Sequence, residues 1–385
     1  MEVEKRFKEL KLFIADHLDL LNLEVLEHYP VIPKPYESWV DEINHFTSRE
    51  LIELENGQIN DLDLAQEFKT FLFKCRELST LPKANLSSHP IPKHHLRKMT
   101  EKKRHEISLL MDQLKFDKKI FDLGSGAGHL SGVLLEGNQK QSLCVDQDPA
   151  LQEIGKKKLE HLKSRLKFKA LKFNRDTSAL TSTDYTLLGL HSCGELSLDM
   201  MRYGVRHHHK KIVSYGCCYH KLNCLNFSGA QDLELSNHAL TMAAKSYKKM
   251  TEKEFIQRES VKRYRYTLHF IMRDHLGLSF RTLGNGMKAD YKGKFAEYCH
   301  KFVSETKRLS ASELEQMYLT YRNEYERFLR FGIIRSCLSR PLEVYLNLDR
   351  CLYLIKNGFK IEVQEVFDRS LSPRNISIVA HLEES

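Results

Sequence analysis

Two short runs hold side chains suited to proton transfer, thiol chemistry or metal binding: His191-Ser-Cys193-Gly194-Glu195 and Gly216-Cys217-Cys218-Tyr219-His220. Each follows an apolar stretch, Tyr185 to Leu190 and Lys211 to Tyr215, that reads as a buried strand. In an open parallel sheet, ligands lie just beyond the carboxyl ends of the strands. Two neighbouring strand ends would therefore present two His, three Cys and one Glu to one ligand. Zinc held by Cys193, Cys217 or Cys218, and His220 is one reading of this set. Adjacent cysteines seldom serve one ion and no C-x-x-C pair occurs, so no metal is expected. Packing of small polarizable thiols is the plainer alternative to a substrate-facing role.

The elements that position these groups start with Lys119 to Asp148. Ile120 to Leu123 reads as a short buried strand, Gly124, Gly126 and Gly128 allow a tight turn, and an amphipathic helix starts near His129. A second strand, Ser142 to Val145, ends on Asp146, a carboxylate placed to accept from both hydroxyls of a ribose. A nucleoside-like ligand is expected. The dinucleotide fingerprint G-x-G-x-x-G fails, because its third glycine would fall on His129. The run G-x-G-x-G preceded by Asp122 resembles the first motif of class I S-adenosylmethionine-dependent methyltransferases. Asp148-Pro149 reads as an N-cap and first turn, outside the site. A third strand is expected at Phe168 to Phe173, with Asn174 and Asp176 just beyond it, where either could bond a cofactor's adenine amino group.

Composition bounds these readings. The chain has 385 residues, 41% of them hydrophobic and 29% charged, enough for two or three globular units. The N-terminus has no apolar signal region, and no stretch approaches the roughly 20 apolar residues of a membrane span. A soluble cytoplasmic or nuclear protein is expected, its nine cysteines reduced thiols. The net charge of +9 favours a polyanionic partner, above all RNA. Two segments carry that charge: 92–105, and 155–175 with nine Lys or Arg against one Glu. Such a patch would position a nucleic acid without reading its sequence, although solvated faces have the same composition.

Helical spacing with proline breaks marks 1–90 as a helical domain, with Trp39 a core anchor. The glycine-turn core fills 91–220. From 221 to 340 the strand pattern gives way to a helical insertion. There Lys262 to Tyr266 reads either as an RNA-stacking surface or as an amphipathic face. The His207-His208-His209 run reads as a solvated loop. A helix over Pro341 to Lys356 stops at Asn357-Gly358. Phe359 to Phe367 and Ile376 to Leu382 then close the core at 341–385 as an antiparallel pair.

On these segments, with Met99 to Glu106, Leu348-Asp-Arg350 and Leu371-Ser-Pro-Arg-Asn375, the chain resembles the methyltransferase-like 25 family of S-adenosylmethionine-dependent methyltransferases. It is more distantly similar to tRNA 2′-O-methyltransferases of the acceptor stem, with Tyr219 replacing the first histidine of their Cys-Cys-His-His segment. The resemblance implies an α/β fold of class I, a Rossmann-like sheet with an antiparallel last strand. It implies S-adenosyl-L-methionine as cofactor, near Asp122, Gly124, Gly126, Gly128, Asp146, Asn174, Asp176 and His191, and methyl transfer to tRNA or rRNA. His191, Glu195 or His220 would take an acceptor's proton, and Cys217 and Cys218 would shape the pocket or act as thiolate. A protein acceptor, or a non-catalytic RNA-binding factor, is the alternative.

Overall fold

The computed structural model describes residues 2–59, 62–97, 99–244, 250–284 and 286–383. The chain divides into two units. The first, Met1–Asp16, Leu78–Lys248 and Arg340–Ser385, holds a sheet of seven strands: β1 (Lys119–Leu123), β2 (Gln141–Asp146), β3 (Leu166–Ala170), β4 (Thr186–Cys193), β5 (Lys211–Cys217), β6 (Phe359–Glu365) and β7 (Ile376–Leu382). Their order is β3-β2-β1-β4-β5-β7-β6, and only β7 runs antiparallel to its neighbours β5 and β6. This is the class I Rossmann-like sheet expected from the sequence. The chain order reverses between β1 and β4, and ligands bind at such switch points.

The sheet is held by a core of Ile107, Leu110, Ile120, Val133, Leu134, Leu188 and Val213. These residues come from alternate positions of the strands and from the inner faces of the helices Glu101–Gln113 and His129–Leu135. The first of these helices is capped by Thr100, whose hydroxyl accepts from the Lys103 amide. The helix Pro149–Lys158 is capped by Asp148, which accepts from the amides of Ala150 and Leu151. Gly358, at φ +81°, ends the helix Ser339–Lys356 and turns the chain into β6.

Some boundaries differ from the sequence reading. β3 starts and ends earlier, because β2 supplies partners only as far as the Asp146–Ala170 pair. Phe173 leaves the sheet and packs its ring against Phe121 and Tyr203. β4 and β5 run on to Cys193 and Cys217, so His191 and the first cysteine of each run are in strands, not past them. Leu151 and Ile154 are exposed, and burial passes to Leu159, Leu162 and Leu166. His209 is fully buried, with Nδ1 donating to the Tyr185 carbonyl, so only part of that histidine run is solvated.

The second unit joins His17–Glu77 to Lys249–Ser339. The N-terminal helices and the insertion, expected as separate bodies, are thus two halves of one helical unit. Met1–Asp16 and the segment from Leu78 belong with the sheet instead, where Pro82 and Ala84 bond the backbone of Glu365. Trp39 stacks on Phe68 with ring centroids 4.9 Å apart. Arg258 reaches Glu55 through two bonds of 3.0 and 2.8 Å. Tyr266 is buried, and Tyr264 sits among the rings of Tyr291, Phe295, Tyr298 and Tyr318, so the tyrosines of 262–266 serve the core. The lysine-rich stretch 245–249 lies outside the described residues. Among the described residues, no helix is long and apolar enough to cross a membrane.

Candidate active site

The glycine turn and Asp146 meet. The Gly126 amide donates to Asp146 Oδ2 at 2.8 Å, and the Asp148 amide donates to Oδ1 at 3.0 Å. Gly124 and Ser125 both donate to the Val145 carbonyl, which stitches the turn to the end of β2. Gly126 and Gly128 have φ of +54° and +67°, a region costly for residues with a Cβ. At Gly128 a Cβ would also lie 2.8 Å from the Phe168 ring. Leu196, at the start of the helix after β4, comes within 3.6 Å of where a Gly124 Cβ would be, so the turn and the mouth of β4 adjoin. Exposed Leu151 stands beside Gly126 in the same way, at 3.9 Å.

Asp122 lies beneath this turn, buried, accepting from the Ser131 hydroxyl, which is also 2.8 Å from the Ser142 hydroxyl. Burial pushes its pKa up to about 6, against the pull of Ser131 and Lys103. Through Ser131 it ties the end of β1 to the helix that follows the turn. Gln152, almost fully buried, props the turn from the side: its Nε2 donates to the Gly126 carbonyl at 2.6 Å and to Ser125 Oγ at 3.2 Å.

His191 sits at a bulge between Leu190 and Ser192 with φ +56°. A non-glycine residue in this region costs of order 1–3 kcal/mol and is concentrated at functional sites. Its Nε2 donates to Glu106 Oε1 at 2.7 Å. Glu106 is buried and also accepts from the Ser372 hydroxyl, with Lys102 3.7 Å away. Burial raises its pKa, but the hydrogen bonds and charges of His191, Ser372 and Lys102 outweigh it and hold the carboxylate below its usual range. A buried anion thus fixes the tautomer and direction of the imidazole.

Cys193, Cys217 and Cys218 form a tight group, their Sγ atoms all within 4.8 Å of one another. The adjacency of Cys217 and Cys218 does not keep them apart, because Cys218 adopts φ +54° and turns its side chain back. Cys193 and Cys217 are 3.1 Å apart, and both lie near the His191 carbonyl. The Cys217 contact, helped by Cys218, Lys221 and His191 and opposed by burial, brings Cys193 down to about 5. Cys217 and Cys218 are pushed up, the first chiefly by Cys193 and the second by burial. His220 is exposed on the turn Tyr219–Lys221 and is not part of the group.

Glu195 is braced, accepting from Arg202 at 2.8 Å and from the Asn223 amide at 3.1 Å. Asn174 and Asp176 are not brought to the glycine turn. They bond one another in a local turn, Asp176 lies 3.8 Å from Arg206, and the Thr177 carbonyl accepts from His207. Arg206 and His207 close the helix Glu195–Arg206, at the end opposite Leu196. The early end of β3 sends this loop down the helix, away from the strand ends.

Glu106, Gln152 and Ser372 escaped the sequence reading. Glu106 had a legible signal, since it shares a helical face with Leu109 and Leu110 and a lone carboxylate there needs a partner. Gly216 has its own cause: a Cβ there would lie 1.9 Å from Arg350 Nη1, and the buried guanidinium covers the Tyr219 ring at 5.1 Å. Of the basic segments, Lys156, Lys157 and Lys158 are exposed at the end of the helix Pro149–Lys158, and Lys167, Lys169 and Lys172 are exposed on β3, the sheet's edge strand, and just beyond it. Arg165 is drawn inward to backbone carbonyls. In 92–105, Lys93, Arg97, Lys102 and Arg104 are exposed, and Lys98 lies outside the described residues.

Residues 97–225 match the family model described as a methyltransferase domain. Methyltransferase-like protein 25 of Mus musculus is 24% identical over 223 residues, which take in 51% of this chain and 37% of that one, little over a third of its length. Among solved structures, coclaurine N-methyltransferase bound to N-methylheliamine and S-adenosylhomocysteine (SAH) is 10% identical, with 89% of this chain and 92% of that one covered and a TM-score of 0.27. Geranyl diphosphate C-methyltransferase of Streptomyces coelicolor A3(2) is 13% identical, with 48% and 65% covered and a TM-score of 0.23. Likenesses this loose carry no weight for substrate or mechanism. Residues 97–225 thus match the model of a methyltransferase domain, in a chain whose sheet has the class I strand order and whose sequence is similar to methyltransferase-like protein 25.

Proposed function

We propose that the chain is an S-adenosylmethionine-dependent methyltransferase acting on RNA. The observation that carries the first half is the 2.8 Å bond between the Gly126 amide and Asp146 at the carboxyl edge of β1 and β2, in a turn of left-handed glycines. Backbone can approach a nucleoside closely there, and a carboxylate stands ready for ribose hydroxyls. S-adenosylmethionine supplies an electrophilic methyl on sulfur; an attacking acceptor breaks the carbon–sulfur bond and leaves S-adenosylhomocysteine. This chain's part is to align the acceptor and, for a hydroxyl, to take its proton. His191 suits that role, since Glu106 holds Nε2 and Nδ1 has no hydrogen bond among the described residues. Glu195 is occupied by Arg202 and Asn223.

The exposed lysines along β3 support an RNA acceptor, because a polyanion placed across them would lie near the glycine turn. Calorimetry with S-adenosylhomocysteine should show binding that Gly126→Arg or Asp146→Ala weakens strongly. Wild-type protein that does not bind it would refute the cofactor. Incubation of methyl-labelled cofactor with cell extract then identifies the acceptor: label lost on nuclease treatment supports RNA, and label that survives nuclease but not protease overturns it in favour of protein.

A further inference from the structure

Away from the glycine turn and the thiols, three imidazoles converge on one carboxylate. Glu136 Oε2 lies 3.3 Å from His95 Nε2 and 3.5 Å from His161 Nε2, and Oε1 lies 3.7 Å from His94 Nε2. The ligand atoms of His94, His95 and Glu136 are all within 4.8 Å of one another. Charge-assisted N–H···O bonds close to about 2.7–2.9 Å, and none of these three does. The spacings instead approach the edge of a tetrahedron around zinc, where bonds of about 2.0–2.2 Å set ligand atoms about 3.3–3.5 Å apart.

The fold builds this arrangement from three separate pieces of chain. His94 and His95 share the short turn Lys93–His95, Glu136 follows the helix His129–Leu135, and His161 lies on the turn Glu160–Leu162. His95 is 2% exposed, its ring set against Gly132, where a Cβ would lie 3.4 Å from Cε1. A buried imidazole and an exposed one beside one carboxylate form an N₂O group of the kind that takes divalent transition ions, and exposed His161, 3.5 Å from that carboxylate but outside the group, would swing in as the fourth donor. The thiol group at β4 and β5 has three donors and belongs to the mouth already described.

We propose that His94, His95, His161 and Glu136 bind one zinc ion. The ion ties the segment leading into the sheet to the far end of the helix that follows the glycine turn.

The test uses the full-length chain, stripped with a chelator and titrated with Zn²⁺ by calorimetry and with Co²⁺ by absorption. One equivalent of Co²⁺ should bind with the visible bands of a tetrahedral site and without the near-ultraviolet band of a thiolate ligand. His94→Ala and His161→Ala change half-exposed residues and should fold normally by circular dichroism, yet weaken Zn²⁺ binding by about 10- to 100-fold or more. A Cys193→Ser/Cys218→Ser variant should bind as wild type does. Absence of stoichiometric binding, affinity unmoved by the histidine changes, or a thiolate band each overturn the proposal. S-adenosylhomocysteine binding, measured on His94→Ala, should persist, so loss of the metal site and loss of the cofactor reading are told apart.

Discussion

At the scale of single residues, the site is a set of titratable groups whose protonation is set by burial in competition with hydrogen bonds and neighbouring charges. Asp122 is an acid whose pKa rises on folding, to about 6, so the folded state binds its proton more tightly than the unfolded chain does. Its cost to stability is absent below the unfolded value near 4, grows as pH rises through the interval to 6, and is then constant. Asp122→Asn should therefore gain stability over wild type above pH 6, by about 3 kcal/mol at most, and lose that advantage near pH 4. Thermal melts at several pH values check this, and a difference independent of pH would count against it. Cys193, held near 5 and exposed, should be the first thiol alkylated by iodoacetamide at pH 6 to 7, ahead of Cys217 and Cys218, as read by peptide mass spectrometry. Glu106 acts through His191. Glu106→Gln should lower kcat by about 10²-fold with little change in KM, in the range for a misdirected general base.

At the scale of elements, strand ends and helix starts decide which backbone groups face the ligand. The Gly128 position needs both a left-handed backbone and the space against Phe168, so Gly128→Ala should cost about 1–2 kcal/mol in chemical denaturation and shift the helix start at His129. Cofactor affinity should fall with it, since the Gly126 amide moves with the turn. The Asp148 side chain contributes only as a cap, while its amide holds Asp146. Asp148→Ala should cost about 1 kcal/mol and leave cofactor binding within twofold.

For the whole molecule, charge placement bears on the proposed partner and chain topology sets the units. The proposed RNA partner would meet the exposed lysines of the helix Pro149–Lys158 and of β3 and the residues after it. If four of Lys156, Lys157, Lys158, Lys167, Lys169 and Lys172 meet phosphates, changing those four to Glu should reduce the log–log salt slope of RNA binding by about 3, at roughly 0.7 per contact to a single strand. An unchanged slope in filter binding would remove that surface from the proposal. The helical unit is closed by segments far apart in the chain, as in the pair Arg258–Glu55, 203 residues apart. Glu55→Ala should destabilise that unit by about 1–3 kcal/mol, because a largely covered guanidinium keeps only its longer contact with Glu259.

Much of this protein was legible in the linear sequence for one reason: local rules act over a few residues. The glycine spacing, the Asp148-Pro149 cap, the alternation of Ile376 to Leu382 and the Asn357-Gly358 stop all determine backbone shape where they stand, and the class I sheet was implied by the family resemblance those segments carry. What only the tertiary structure decided involves partners distant in the chain. Glu106 finds His191 across 85 residues, Gly216 is small because Arg350 lies over it, and Asp176 is carried down a helix because β2 runs out of pairing partners. Residues 17–77 and 249–339 become one body for the same reason. Burial free energy depends on what comes to cover a side chain, and that is a property of the folded chain, whereas backbone preference is a property of each residue and its near neighbours.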